Sequence, residues 1–341
     1  MRKLLIPAVA AALLFTGCAA PVTPKQALSD AATKTAQGKD LSYSMKIDTT
    51  ADDLKKVMTA TSSAAVDAQT QSIIDVATSI IPKTVMKVSM HSNGADLNTE
   101  KDPQKLDMAM SLAVDSKPIE IMWVKGEAFL HADVEGIGQA TGLFTAAQVK
   151  MLASSAAASM PWINDVVGGK WVALDKTAVN ALIEKAKLQM ASAAPSAAPS
   201  IDAAKATAAF MDASEITKVD DKTYKSVTDA KKLIKAMAAM DPNDQLTDAR
   251  ADESIAKIND GANLDVTYTL TDGKVSKAVI DVADIMRTWP KADPAQPELA
   301  KLAATDFKMA LVVEMANDVK ITAPSAASTI PASDLEGLTQ G

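Results

Sequence analysis

The sequence predicts an α+β fold in which one curved antiparallel sheet carries helices on one side. Three observations support this prediction. Segments with apolar residues at every second position recur along the chain, which is typical of half-buried strands. Short turn signals join several of these segments, and hairpins produce antiparallel pairs. Helical patterns lie between the strands and supply a cover for the apolar side of the sheet.

The chain begins with a segment typical of an export signal. Two basic residues precede an apolar run over residues 4–15, which is shorter than the roughly 20 residues that span a bilayer. The run ends at Phe15-Thr16-Gly17-Cys18. These small residues before a cysteine resemble the lipobox of bacterial lipoproteins, with Phe15 where leucine is usual. The resemblance implies removal of residues 1–17 and a diacylglyceryl group on Cys18.

The lipobox resemblance also sets the expected location and the domain plan. Two acyl chains anchor a protein stably, whereas one chain binds a membrane only marginally. We therefore expect an extracytoplasmic protein held on the cell membrane by its lipid. Residues 18–38 are small and polar and predict a tether, residues 39–325 predict a single domain, and residues 326–341 predict a flexible tail.

Strand patterns follow in order along the domain. The clearest one is residues 106–114, where Leu, Met and Val alternate with Asp, Ala and Ser. The best turn signal is Asp272-Gly273, which predicts a two-residue hairpin. The predicted strands are residues 43–47, 86–90, 106–114, 119–124, 128–132, 170–174, 215–219, 223–227, 264–270, 275–282, 307–315 and 319–321.

Helical patterns interrupt these strands. Apolar residues at helical spacing predict helices over residues 54–80, 145–160, 177–190, 201–211, 229–240 and 247–258. Residues 191–200 read ASAAPSAAPS, which predicts a connection between two helices rather than a packed element.

Composition excludes several function classes. The chain has 341 residues, a net charge of −7 and no basic cluster, which argues against nucleic acid as a partner. One cysteine forms no internal disulfide and no cysteine-based zinc site. The two histidines, His91 and His131, stand alone, and we find no phosphate-binding loop, dinucleotide fingerprint or serine elbow. We therefore predict a protein that is not an enzyme and holds no metal or cofactor.

The order of these segments resembles the LppX/LprG-type lipoproteins of actinobacteria and, more remotely, the LolA/LolB carriers. The matching pieces are residues 123–129 ("v-v-x-G-x-x-Y", with Phe129 as the aromatic), 170–174 ("W-v-x-l"), 217–224 ("v-d-G-x-x-t-y", without the glycine), 272–275 ("d-G-x-l") and 318–324 ("v-x-I-x-A-P"). This resemblance covers residues 41–324. It implies a half-barrel sheet whose concave face is covered by helices, with an apolar cavity for the acyl chains of a lipid or lipoglycan between them.

The resemblance and the strand alternation together suggest lining residues for that cavity. Methionine is frequent, with 17 residues, and its flexible side chain suits either a variable acyl ligand or gap-filling in a core. The candidate ligand-binding residues are Met86, Val88, Met108, Met110, Leu112, Leu182, Met237 and Met309. Alternation alone also leaves the opposite sheet face open as the lining.

Three functions remain at this point. The first is a membrane-anchored lipoprotein that binds or transfers acyl chains without catalysis. The second is an envelope interaction or scaffold lipoprotein of the same fold with a filled core. The third is the substrate-binding lipoprotein of an importer, which requires two lobes with parallel strands and is disfavoured by the hairpin signals.

Overall fold

The computed structural model describes residues 22–62, 67–97, 99–100, 102–177, 179–180, 203–240 and 248–338. The predicted signal peptide, Cys18, Leu182 and the segment 191–200 lie outside these residues. The strands are β1 (Asp40–Thr49), β2 (Thr84–Ser92), β3 (Leu106–Val114), β4 (Lys117–Val124), β5 (Glu127–Ala132), β6 (Val172–Leu174), β7 (Ser214–Lys218), β8 (Thr223–Asp229), β9 (Asn263–Thr271), β10 (Lys274–Asp281), β11 (Met309–Ala316) and β12 (Ser328–Ile330).

Helices precede, interrupt and follow these strands. They are α1 (Pro24–Ala36), α2 (Ala51–Ala60), α3 (Ala68–Ile80), α4 (Val134–Thr141), α5 (Ala146–Ala156), α6 (Ile163–Val167), α7 (Ala203–Ala213), α8 (Ala230–Met240), α9 (Asp248–Ala256), α10 (Val282–Thr288), α11 (Pro297–Ala304) and α12 (Ala332–Leu338).

All twelve strands form one sheet in the order β12-β6-β5-β4-β3-β2-β1-β11-β10-β9-β8-β7. Neighbouring strands are antiparallel, except that β12 pairs with β6 in parallel. The sheet is open and is not closed into a barrel. The predicted α+β class with one large antiparallel sheet and helices is therefore confirmed.

Two tight turns have the conformation that their sequence requires. Lys125-Gly126 joins β4 to β5 with φ of 51° and 76°, and Asp272-Gly273 joins β9 to β10 with φ of 52° and 70°. Positive φ at both central residues gives a turn whose twist matches that of the two strands. The hairpin predicted at Asp272-Gly273 is confirmed, because Thr271 pairs with Lys274 across it.

The two faces of the sheet differ in polarity. Residues paired directly across an antiparallel ladder lie on the same face, so the register identifies both faces. One row on what we call the apolar face runs from β11 to β5 through Met315, Tyr43, Val88, Met110, Ile121 and Leu130. The adjacent row on the polar face is Glu314, Ser44, Lys87, Ser111, Glu120 and His131.

Helices pack on the apolar face in three clusters. In the first, α2, α10 and α11 cover Ile47 and Met309 with a buried group around Phe307. In the second, α1 and α7 cover Tyr268 and Met315. The third places α6 and α12 against Leu130 of β5, together with Val172 of β6 and Ile330 of the edge strand β12.

The segment 18–38, predicted as a tether, is helical over its second half, so that prediction is wrong for residues 24–36. Thr23 caps α1 by accepting a hydrogen bond from the Gln26 amide, and Pro24 occupies the first turn. Leu28, Ala31 and Thr35 then repeat at helical spacing and are buried. The folded body therefore begins at α1 and not at residue 39.

The prediction of a flexible tail at residues 326–341 is also wrong for the part that the structure describes, residues 326–338. Residues 328–330 form β12, which extends the sheet beyond β6. Leu335 of α12 is buried, and the Trp162 indole Nε1–H donates to Asp334 Oδ2 at 2.8 Å. Ile330 and Leu335 are buried against Trp162 and Val172, so a few apolar residues hold this end of the chain on the folded body although the segment is rich in Ala, Ser and Pro.

The strand predicted at residues 319–321 does not form. β11 ends at Ala316, and the residues that follow have no regular structure until β12. A strand has two edges, and those of β11 are already occupied by β1 and β10. The turn-like residue Asn317 instead donates from Nδ2 to the backbone oxygen of Thr35 at 2.9 Å, which ties β11 to α1.

Candidate functional site

The candidate site is a part of the apolar face over β3 and β4 that the three helix clusters leave open. Five large apolar side chains there are between 41% and 48% exposed. We call this set the open apolar area, and its members are Met108, Met110, Leu112, Ile119 and Ile121. Large contiguous apolar surfaces of this kind mark interaction or ligand sites on soluble domains.

The register explains how the sequence builds this area. Met110 pairs with Ile121 and Leu112 pairs with Ile119, so alternate residues of two neighbouring strands project on the same side. Met108 and Leu112 lie four residues apart, which is about 13 Å along a strand. The area is therefore long and narrow. Lys117, at the start of β4, lies on the same face beyond Ile119 and pairs with Val114.

Partly or fully buried side chains border the area. On β2, Met86 and Met90 are half-buried and Val88 is buried, each facing a β3 partner. On β4, Trp123 is half-buried and pairs with Met108. The border continues the apolar rows into the part of the sheet that the helices cover.

The structure thus brings five of the predicted lining residues together on one face: Met86, Val88, Met108, Met110 and Leu112. Met309 lies on the same face but belongs to the core cluster around Phe307, where it is buried. Met237 is 52% exposed on α8, which packs against β8 at the far side of the sheet. Leu182 lies outside the described residues.

Sequence reasoning missed four residues of this site: Met90, Ile119, Ile121 and Trp123. Residues 119–124 were identified as a strand, and the alternation of Ile119, Ile121 and Trp123 was the signal available. Their membership in the site follows from the β3–β4 register, which places them opposite Leu112, Met110 and Met108.

Both histidines lie on strands beside carboxylates of neighbouring strands. His91 Nδ1 is 2.7 Å from Asp40 Oδ1, and the two residues are direct partners in the β1–β2 ladder. His131 Nδ1 is 3.2 Å from Glu120 Oε2 without the alignment of a hydrogen bond, and its ring stacks on Trp171 at 5.0 Å. Cross-strand pairs of this kind stabilise a sheet and supply no nucleophile.

Within the described residues, no group of three or more His, Cys, Asp or Glu side chains is arranged to hold a metal ion. No helix in that same part of the chain has both the length and the apolar character needed to cross a bilayer. Comparison of the chain with protein-family models, curated proteins and solved structures finds no match.

Proposed function

We propose that this chain is an extracytoplasmic lipoprotein, anchored to the membrane through Cys18, that binds or transfers the acyl chains of a lipid or lipoglycan without catalysis. The observation that carries the proposal is the open apolar area, where Met108, Met110, Leu112, Ile119 and Ile121 remain exposed in the middle of a covered sheet face. Its export signal and its resemblance to lipid-binding lipoproteins agree with this function.

The physical argument rests on what an acyl chain gains there. Each 100 Å² of apolar surface removed from water contributes about 2.5 kcal/mol. A flexible alkyl chain matches a long, narrow surface, and unbranched methionine side chains adjust to its shape. Met90 and Met108 face each other across β2 and β3, and Met86 and Met110 lie on the same face opposite Leu112 and Val88, so these methionines supply such an adjustable wall.

A second candidate function uses the same surface. An envelope scaffold lipoprotein would dock an apolar segment of a protein partner on the open apolar area. The acyl ligand is favoured because the area is long and narrow and is bordered by more buried apolar side chains, which suits an alkyl chain.

The test uses neutral substitutions on the two faces of one strand. Met110→Asn combined with Ile121→Asn places two amides under the ligand, and Ser111→Asn places one on the polar face of β3. We expect binding of a labelled phosphatidylcholine to weaken at least tenfold in the double variant, because a desolvated amide costs about 1–3 kcal/mol when it has no partner. The Ser111 variant should bind as the unmodified protein does.

Native mass spectrometry of the protein purified from its host provides the second readout. We expect a co-purifying lipid that the double variant has lost. Absence of any bound lipid, together with no binding of the labelled probe, would refute the acyl-chain proposal and leave the scaffold function.

Anchoring is tested separately. Cells are fed an alkyne-labelled palmitate, and the protein with Cys18→Ala is compared with the unmodified chain. We expect label and membrane association in the unmodified chain only. Equal membrane association of both proteins would refute the lipid anchor without affecting the acyl-binding test.

A further inference from the structure

A pocket of about 370 Å³ lies at the end of β4, next to the open apolar area. Three lysines from three different segments line it: Lys105 before β3, Lys125 in the β4–β5 turn, and Lys176 after β6. Trp123 and Asn93 complete its wall near β4 and β2. No acidic side chain is among the described residues that line this pocket, which we call the lysine pocket.

Within the described part of the chain, none of Lys105, Lys125 and Lys176 forms an ion pair, although eleven other lysines there pair with a carboxylate. All three residues are exposed. Three cations that line one pocket, with no counterion among its described lining residues, favour the binding of an anion.

The buried carboxylate of Asp107 accepts hydrogen bonds from two segments that line the lysine pocket. Asp107 is 3% exposed, and its Oδ1 accepts from the Lys125 backbone amide at 2.8 Å while its Oδ2 accepts from Asn93 Nδ2 at 2.9 Å. The backbone N–H of Asn93 in turn donates to the Lys105 carbonyl oxygen at 2.8 Å. Asp107 therefore holds the turn and the loop that carry two of the lysines, with both of its oxygens engaged.

Glu100 and Asp175 are close in sequence to the lysines, and neither is among the described residues that line the pocket. Glu100 accepts from the Ala95 amide at 3.0 Å and from the Asp102 amide at 2.9 Å. Asp175 precedes Lys176 and makes an interaction of its own. These acids lower the local positive potential without occupying the pocket wall.

Trp123 joins the pocket to the apolar face. It lines the lysine pocket and is also the direct partner of Met108, the first member of the open apolar area along β3. Tryptophan places an apolar ring and a polar N–H at the level where a lipid headgroup meets its chains. The cationic lysine pocket and the open apolar area are therefore adjacent, and they meet at the pair of Trp123 and Met108.

We propose that the lysine pocket binds the phosphate of an anionic lipid headgroup while the acyl chains of the same molecule lie on the open apolar area. This inference rests on the proposed acyl binding and names the ligand class as an acidic phospholipid or phosphate-bearing glycolipid. Lysines act here as point charges on phosphate oxygens.

The test measures headgroup preference. The full-length protein in mixed micelles is offered equal amounts of phosphatidylglycerol and phosphatidylcholine with identical chains, and bound lipid is counted by native mass spectrometry. We expect at least a tenfold preference for phosphatidylglycerol. Lys105→Gln with Lys176→Gln should reduce it to within twofold of parity, chiefly because phosphatidylglycerol, whose net charge is negative, loses more affinity than zwitterionic phosphatidylcholine.

Matched controls separate the pocket from general charge. Lys46→Gln with Lys87→Gln removes the same charge from the polar face and should keep the preference. Lys125→Asn, which suits the left-handed turn conformation, should lower it without loss of folding. Soluble glycerol 3-phosphate should compete at least 100-fold less well than phosphatidylglycerol.

Each outcome decides one proposal. Equal binding of both lipids, or a preference that survives the Lys105 and Lys176 changes, overturns the headgroup site and leaves acyl binding intact. Glycerol 3-phosphate that competes as well as the lipid assigns the pocket to a soluble phosphate compound and also overturns it. Failure to bind either lipid refutes the proposed function itself.

Discussion

Replacement of Leu28 by alanine tests whether α1 belongs to the folded body or is a spacer. Leu28 is 1% exposed and packs with Ala31, Met211 of α7 and Val275 of β10. Deleting a fully buried leucine side chain removes its transfer free energy and leaves a cavity, which together cost about 3 kcal/mol. A spacer helix in water would lose almost nothing.

The expected shift is measurable by urea unfolding of the mature chain followed by circular dichroism. With an m-value of about 3 kcal/mol/M, the Leu28→Ala midpoint should fall by roughly 1 M. Thr35 offers an independent probe, because its hydroxyl oxygen accepts from the buried Val275 amide at 2.8 Å. Thr35→Val leaves that amide unpaired and should cost about 1–3 kcal/mol.

Val22→Ala is the matched control, since Val22 is 66% exposed just before the Thr23 cap. It should change the free energy of unfolding by less than about 0.5 kcal/mol. If Leu28→Ala and Thr35→Val are both as mild as this control, α1 does not stabilise the body, and residues 24–36 act as the tether that the composition suggested.

Three other substitutions test contacts elsewhere. Asp107→Ala removes the acceptor of two donors and should cost about 1–3 kcal/mol in urea unfolding. Trp162→Phe removes the hydrogen bond to Asp334, so amide exchange in α12 should quicken. Burial, with the charges of Asp281 and Asp265, raises the pKa of the Asp284 carboxyl. Ionisation of Asp284 therefore costs stability as pH rises through that raised pKa, and Asp284→Asn should raise the melting midpoint at pH 7 but not near pH 3.

Each of these predictions has a contradicting result. An unchanged urea midpoint in Asp107→Ala would mean that solvent replaces its hydrogen bonds. Exchange in α12 that stays slow in Trp162→Phe would assign its stability to Leu335 and Ile330 alone. If Asp284→Asn raised the melting midpoint equally at pH 3 and pH 7, the charge of Asp284 would be excluded as the cause of the increase.

Sequence periodicity predicted β1 to β11 because each of these strands carries its own signal, whereas the three residues of β12 carry none. β3 alternates over nine residues, and Asp272-Gly273 determines the hairpin that follows β9. α1 was missed because only Leu28, Ala31 and Thr35 are buried on it, and two of these three are small or polar. Their burial depends on α7 and β10, which are distant in sequence and carry no local signal in residues 24–36.

The site was predictable in part for the same reason. Alternation places Met108, Met110 and Leu112 on one apolar side of β3, but only the packing of the helix clusters determines that this side is left open. Met309 shares the same alternation and is covered by α2, α10 and α11. The lysine pocket has no sequence signature, because its three cations come from segments about 20 and 50 residues apart that the sheet brings together.

If Cys18 carries the proposed lipid, the start of α1 at Pro24 limits how far the folded body can stand from the membrane. Only residues 19–23 separate the two, and five extended residues reach at most about 18 Å. Since α1 is packed against the sheet, a connection of this length would be too short for the folded body to rotate freely above the bilayer. The molecule would rest on the lipid surface with a restricted choice of orientations, and ligand exchange with the supporting leaflet would become a local event rather than a diffusive one.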